Sequence, residues 1–277
     1  SHIELRQGGV QHELKAPLFV LAGGAFGSPR LCLGSASEAF PEGVGNGSGL
    51  VGRGLMFHLN EMFAVWPGLK GGGPSKSVGF RDLLWHEGAR LGMVQAMGID
   101  ASYGEILHYL RLRLLRSRLG QGRLVQEGAR VPAAVAAKVL GSAKVFVGLM
   151  EDLAYDHNRV LPPQTGKARD VIEIEYRLSD ELLQRRRLFR RAIKGAFKGQ
   201  RQMFLSAAPE LNYGHPCGTM RFGDDPKRAV LNGTGRVHGL RNLYVADASF
   251  MPSSMGVNPS LAIAAQALRV AGTILEG

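Results

Sequence analysis

The residues whose types could carry chemistry gather toward the C-terminal end of the chain. His215 stands in Tyr213-Gly214-His215-Pro216-Cys217-Gly218-Thr219, a turn-rich stretch. Imidazole is the side chain whose ordinary pKa lets it trade a proton near neutral pH, and a turn presents it better than a helix face. Leu243–Ala246 is a short apolar run that closes on Asp247 and Ala248. The C-terminal ends of strands are where open α/β sheets meet their ligands. Asn258-Pro259 then opens an Ala-rich helix over Ser260–Leu275. Such a helix points free N–H groups and the positive end of its dipole at anything anionic in front of it. His238, in Gly235-Arg236-Val237-His238-Gly239, is the rival histidine, and its place in a turn reads as structural.

These residues need a frame. A chain of 277 residues, 45% apolar, can bury one large core or two ordinary ones, and 38 glycines with 13 prolines imply many turns. No run of about 18 apolar residues appears, so no transmembrane helix is expected. The opening SHIELRQGG lacks the layout of a signal peptide. Cys32 and Cys217 make neither a disulfide framework nor a zinc site and read as reduced thiols, with a cytoplasmic setting favoured. The formal charge of +11 raises the question of nucleic acid or an anionic surface.

Alternating segments Ile3–Arg6 and Gln11–Lys15 around Gly8-Gly9 predict a hairpin. Leu18–Gly24 (LFVLAGG) predicts a buried strand, followed by a helix over Ser28–Leu33 with Pro29 in its first turn. Phe40–Leu55 is a glycine-rich connection. His58–Gly68 predicts a strand and 71–74 a turn. Ile106–Leu119 and Val131–Leu140 predict a helical insertion with a cationic, solvated face. Val145–Leu153 has strand character, and Val171–Tyr176 alternates strictly, which predicts a strand with one buried face. Ser179 is an N-cap candidate for a helix whose apolar stripe runs Leu182, Leu183, Leu188, Phe189, Ile193 and Phe197, with the basic residues mostly opposite. No internal repeat is present.

The stretch His215–Ile274, the segment Leu18–Ser37 (LFVLAGGAFGSPRLCLGSAS), Gly49–His58 (GLVGRGLMFH), Asn158-Arg159-Val160 and Ile174–Asp180 together resemble the glucose–methanol–choline (GMC) FAD-dependent oxidoreductases. Between Glu61 and Phe146 the similarity is patchy. The resemblance implies an α/β fold, α+β overall. It would comprise a partial FAD-binding Rossmann-like domain, residues 1–55 and 210–277, and a substrate domain, 56–209, with an antiparallel sheet and helices. It also implies oxidation of an alcohol CH–OH, with hydride passing to flavin N5. His215 would be, or orient, the base, and Asn258 would hydrogen-bond the substrate oxygen. Ala22, Gly23 and Gly24 would border the adenosine part of FAD. Asp247 and Ala248 would meet the pyrophosphate and ribityl, and Asn258, Pro259 and Ser260 the isoalloxazine. No metal is implied. The partners implied are a small alcohol and an electron acceptor, O2 or a redox protein.

Members of that family also carry a strand-GxGxxG-helix unit. Gly47–Gly52 (GSGLVG) spells the pattern, but Pro41–Asn46 is no strand and Gly54 interrupts any helix, so the match reads as chance. The expectation is a C-terminal portion lacking the N-terminal unit, which needs the missing part of the enzyme and could be inactive alone or an assembly partner for that part. The alternative class is a basic module for nucleic acid or an anionic membrane. Dispersed arginines and the absence of a recognised nucleic-acid motif weigh against it.

Overall fold

The computed structural model describes residues 2–67, 76, 78–100, 102–115, 117–141, 143–164 and 171–276. β1 (His2–Gln7) and β2 (Val10–Lys15) form the expected hairpin, His2 opposite Lys15. β3 (Phe19–Leu21) leads into α1 (Gly24–Gly34), which begins four residues before Ser28, so Pro29 lies inside the helix. Proline cannot donate to the carbonyl one turn back. That carbonyl, Ala25 O, instead accepts from Thr219 Oγ1 at 2.8 Å. Residues 41–55 are turns and bends that run straight into β4 (Met56–Trp66), so Gly47–Gly52 opens no helix. The turn expected at 71–74 lies outside the described residues.

The chain continues with β5 (Gly79–Phe80), β6 (Trp85–His86), β7 (Ala89–Arg90) and β8 (Gly92–Asp100). The helical insertion follows as α2 (Tyr103–Leu115), α3 (Arg123–Gly128) and α4 (Arg130–Leu140), then β9 (Lys144–Glu151). Next come β10 (Arg159–Val160), β11 (Ile174–Glu175), α5 (Asp180–Ala196) and β12 (Arg201–Phe204). β13 (Glu210–Cys217), β14 (Leu243–Val245) and α6 (Ser260–Glu276) close the order. Within 171–176 only Ile174 and Glu175 form a strand, and Val171, Ile172 and Ile174 are exposed, against the expectation of one buried face. The ladder with β10 is just two residues long, too short to cover them.

Contacts divide the chain into two units: Ser1–His58, Glu151–Leu182 and Asn212–Gly277 form unit 1, while Leu59–Met150 and Leu183–Leu211 form unit 2. In unit 1, β3 and β14 pair in parallel, Leu21 opposite Val245. Their sequences are distant, yet the pairing sets the Gly-rich turn after β3 beside Asp247 after β14. The core packs Cys32, Met56, Cys217, Met220, Leu231 and Phe250. Both thiols are free, and burial pushes Cys32 up to about 12, so neither is a ready nucleophile.

In unit 2 a sheet runs in the order β12-β4-β9-β8-β5, with β13 also paired to β4. The β12–β4, β8–β9 and β5–β8 pairs are antiparallel. Ser179 caps α5, its Oγ accepting from Leu182 N at 3.1 Å, and Asp180 and Glu181 favour the helix dipole. Phe189 and Ile193 are fully buried against Gly148 of β9. A Cβ there would come within 2.7 Å of the Phe189 ring, so glycine is what lets helix and strand close. The basic face is less clean than its spacing predicts: Arg185 and Arg186 are buried. Arg186 bonds Glu61 and the Ala207 and Ala208 carbonyls, and Arg190 lies 3.5 Å from Glu61 and over the Phe204 ring. The α2 arginines also have acidic partners, Arg111 with Glu127 and Arg113 with Glu210.

Candidate active site

His215 is the last histidine before the buried end of β13, and β13 pairs with β4, which carries His58. The rings meet nearly at right angles, with Nδ1 to Nδ1 at 3.1 Å. His215 is half-buried, and desolvation lowers its pKa. His58 is 0% exposed and falls to about 4, first through burial and then through His215; the Ser254 carbonyl acts the other way. Both rings are therefore neutral at pH 7, and a neutral imidazole at the edge of solvent can accept a proton.

What fixes His58 is a buried polar network, because buried polar groups must find partners. His58 Nε2 lies 2.8 Å from the Ser254 carbonyl. Ser254 is tied to Asp152 in both directions: its N–H donates to Asp152 O at 3.2 Å, and its Oγ accepts from Asp152 N at 2.8 Å. The Asp152 carboxylate then takes Phe57 N at 3.0 Å and the Tyr176 hydroxyl at 2.7 Å. Phe57 packs edge-on against Tyr176 and Tyr213. His58 and Asp152 were not singled out by the sequence. Each is a polar residue set directly after an apolar run, LMF before His58 and VGLM before Glu151-Asp152, which is the signal that could have found them.

Just past His215, Gly218 adopts φ +92°, and a Cβ there would strike Met56 Cε and the Gly54 carbonyl. That close approach settles the loop under the histidine. Asp247 is buried and takes four hydrogen bonds: Gly24 N (2.9 Å), Ser28 Oγ (2.5 Å), Ser249 N (2.9 Å) and Ser249 Oγ (2.5 Å). Gly23 N donates to Ser28 Oγ. Ala248 is half-buried beyond it, while Ala22 and Gly23 are exposed at the end of β3. Asn258 and Ser260 are exposed at the head of α6, and Pro259 is buried. The first hydrogen bond of α6 runs from Ile263 N to Pro259 O, so the N–H groups of Ser260, Leu261 and Ala262 precede the ladder. His238 bonds backbone through both its N–H and Nε2, as a turn residue would. Arg221 pairs with Asp156, and Asp225 folds its own turn onto Lys227 N. Among the described residues no group of three metal-ligating side chains occurs. A cleft of about 440 Å³ in unit 1 is lined by Leu50, Ala154, Asp156, Arg221, Lys227 and Arg228 among others, and none of the expected site residues faces it.

The donor set discriminates between the two ends of a flavin nucleotide. The head of α6, with exposed polar groups and leading N–H groups, suits the electron-rich ring edge. The start of α1 does not suit a diphosphate: its Gly23 and Gly24 N–H groups are engaged, and the buried Asp247 carboxylate stands beside them.

Residues 163–267 match the family model described as GMC oxidoreductase, a span that holds His215, Asp247, Asn258 and the start of α6. Paromamine 6'-oxidase of Streptomyces fradiae is 30% identical over 97% of this chain and 47% of its own length. 6'''-Hydroxyparomomycin C oxidase of Streptomyces lividus is 29% identical over 97% of this chain and 46% of its own. This chain belongs to the GMC oxidoreductase family. It spans about half the length of the curated relatives it matches. Pyridoxine 4-oxidase from Mesorbium loti shares the fold, with a TM-score of 0.58 at 20% identity over 100% of this chain and 55% of that one. A fungal aryl-alcohol oxidase gives 0.56 at 15% identity, covering 99% and 57%. The mixed α/β architecture is thus the family's, and FAD is the cofactor that the family implies. Among the described residues no helix is long and apolar enough to cross a membrane.

Proposed function

We propose that this GMC chain supplies the substrate side of a flavin site that oxidises the CH–OH group of a small alcohol, with His215 as the base that takes the hydroxyl proton. FAD, when bound, accepts the hydride at N5. The observation that carries the reading is His215 itself: half-buried, held at 3.1 Å by a second histidine, and with burial lowering its basicity so that it is unprotonated at pH 7. Asn258, exposed at the head of α6, orients the alcohol oxygen, which fixes the C–H bond toward the ring. The leading N–H groups at Ser260 and beyond would hold the electron-rich edge of the ring, with Pro259 and Ala248 as neighbouring backbone. Ala22–Gly24 border the adenosine end. Asp247 acts by tying the start of α1 to the end of β14. The diphosphate is left to a segment outside this chain. In this reading residues 1–55 and 210–277 serve the cofactor and 56–209 the substrate. An alcohol is the substrate class because the relatives include two oxidases and 2-methyl-1,2-propanediol dehydrogenase. The acceptor for the electrons would be O2 or a redox partner.

The test is the reductive half-reaction of the flavin-loaded protein, followed by loss of visible flavin absorption on mixing with an alcohol. His215→Ala should slow it about 100-fold or more, the size of a general-base contribution. Reduction at the wild-type rate would remove His215 from the chemistry.

A further inference from the structure

We infer that His58 is a positioning residue that holds the ring proton of His215 on Nδ1, leaving Nε2 of His215 as the basic atom. This role of His58 rests on the reading of His215 as the base, and it adds which nitrogen does the work and what decides it.

The assignment follows from what each atom can donate. A carbonyl oxygen has no proton, so the 2.8 Å contact between His58 Nε2 and the Ser254 carbonyl is an Nε2–H donating. His58 is wholly buried and neutral above about pH 4, so its single ring proton is committed there. Its Nδ1 is left as an acceptor. That acceptor lies 3.1 Å from His215 Nδ1, and two lone pairs at this distance repel, so His215 Nδ1 carries a proton and donates it. A neutral His215 has no second ring proton, and Nε2 is bare. Asn212 Nδ2 also lies 3.3 Å from His215 Nδ1, a contact that would require Nδ1 unprotonated. It is the longer of the two, and the Asn212 side chain keeps its Oδ1 bond from Gly214 N at 3.0 Å whether or not Nδ2 donates to His215. The fixed tautomer of His58 decides between them.

The chemistry benefits twice. When Nε2 takes a proton, the ring becomes an imidazolium and its Nδ1–H bond to His58 becomes charge-assisted. His58, kept neutral by burial, then faces that cation as an acceptor rather than as a second positive charge. The device depends on His58 not turning, and Asp152 prevents that from two sides. It holds Phe57 N, one residue before His58, and it holds Ser254, whose carbonyl takes the His58 proton. The titratable groups around the pair include Asp152 and Tyr176, bonded to each other, Glu151, which accepts from Ser253 Oγ at 2.6 Å, and Tyr213 and the buried Cys217 thiol on β13 itself.

The test labels the histidine rings with nitrogen-15 in the flavin-loaded protein and reads by NMR which ring nitrogen bears hydrogen. The expected result is Nε2–H on His58 and Nδ1–H on His215. His58→Phe, which keeps a ring but no acceptor, should release His215 from the Nδ1–H form and slow flavin reduction about 10- to 100-fold, the cost of losing a partner that orients a functional histidine. It should also move the acid limb of the pH–rate profile to lower pH, because the acceptor that stabilises the imidazolium is gone. A merely structural loss lowers the rate without moving the limb. His58→Asn keeps an acceptor for His215 and a donor for Ser254, and should recover most of the rate and the wild-type limb, which also covers a His58→Phe protein that fails to fold. Nδ1–H on wild-type His58, or an unmoved limb and tautomer in His58→Phe, overturns the assignment. Wild-type flavin reduction in His215→Ala with both tautomers as expected overturns the base role and leaves the pairing standing, so the two failures are distinguishable.

Discussion

Unit 1 buries a charged cluster at Asp152 and unit 2 buries one at Glu61, and the two are built on opposite terms. In unit 1 the Asp152 carboxylate takes hydrogen bonds from neutral groups, Phe57 N and the Tyr176 hydroxyl, and leads through Ser254 to two neutral imidazoles. In unit 2 Glu61, 1% exposed, meets two guanidiniums, Arg186 and Arg190. Guanidinium does not deprotonate in proteins, so nothing in the second cluster can pass a proton to its neighbour. It is a clamp, fixing the 206–208 turn through Arg186 and Arg190 to the carbonyls of Ser206, Ala207 and Ala208. The first cluster ends in two imidazoles, each of which can carry a movable proton. Burial alone does not make a site, and the chemistry follows from whether the buried partners titrate.

The largest expected effect tests the clamp. Arg186→Met should leave Glu61 short of its main partner and cost about 3–5 kcal/mol, read from the urea midpoint, since a buried charge without compensation is expensive. Adding Glu61→Leu should return most of that loss, because removing both members removes the desolvation problem as well. A single-variant loss below about 1 kcal/mol would show the cluster to be solvated and the contrast between units to be wrong.

Acid separates the clusters by sign. His58 stays neutral in the folded protein down to about 4, while in the unfolded chain it gains a proton below its ordinary value of 6.5. Between those values the unfolded state binds more protons, so stability falls as pH drops through that window, by up to about 3 kcal/mol. His215, also lowered by burial, adds to the same slope. Glu61 acts in the opposite direction: burial raises its carboxyl, against the pull of Arg186 and Arg190. Its folded form therefore holds a proton more readily, and its contribution grows as pH falls. Thermal unfolding between pH 7 and 4.5 should show the loss in wild type and a flatter profile in His58→Phe. An equal slope in that variant would mean that His58 is not the group being protonated.

The same contrast explains what the sequence could show. The hairpin across Gly8-Gly9, the strand end at Asp247 and the helix from Ser260 were legible because each is encoded by residues adjacent in the chain. His215 stood out because Gly214 and Pro216 flank it. His58 did not, since its meaning comes from β13, and the chain between His58 and His215 gives no local sign of that pairing. The start of α1 was misjudged for the same reason: Pro29 looks like a first-turn residue until Thr219, far along the chain, satisfies the carbonyl it leaves open. Arg186 fell among the basic residues read as mostly opposite the apolar stripe, because helical spacing assigns faces without knowing that a glutamate waits on β4.

The smallest effect tests how the proton-bearing cluster is held. Tyr176→Phe deletes the 2.7 Å bond to Asp152 and keeps the ring that packs 5.2 Å from Phe57. Asp152 retains Phe57 N, so no acceptor is left bare and the cost should be about 2 kcal/mol, the range for a hydrogen bond to a charged group and below the loss in Arg186→Met. The Tyr176 hydroxyl, raised by burial and by Asp152, stays protonated throughout the accessible pH range, so the tyrosine itself adds no pH dependence to the deficit. Because Asp152 reaches His58 through Phe57 and Ser254 rather than through Tyr176, the nitrogen-15 signals of His58 and His215 should keep their wild-type protonation pattern. A changed pattern would mean that the tyrosine, and not the backbone ties of Asp152, holds the histidine in place.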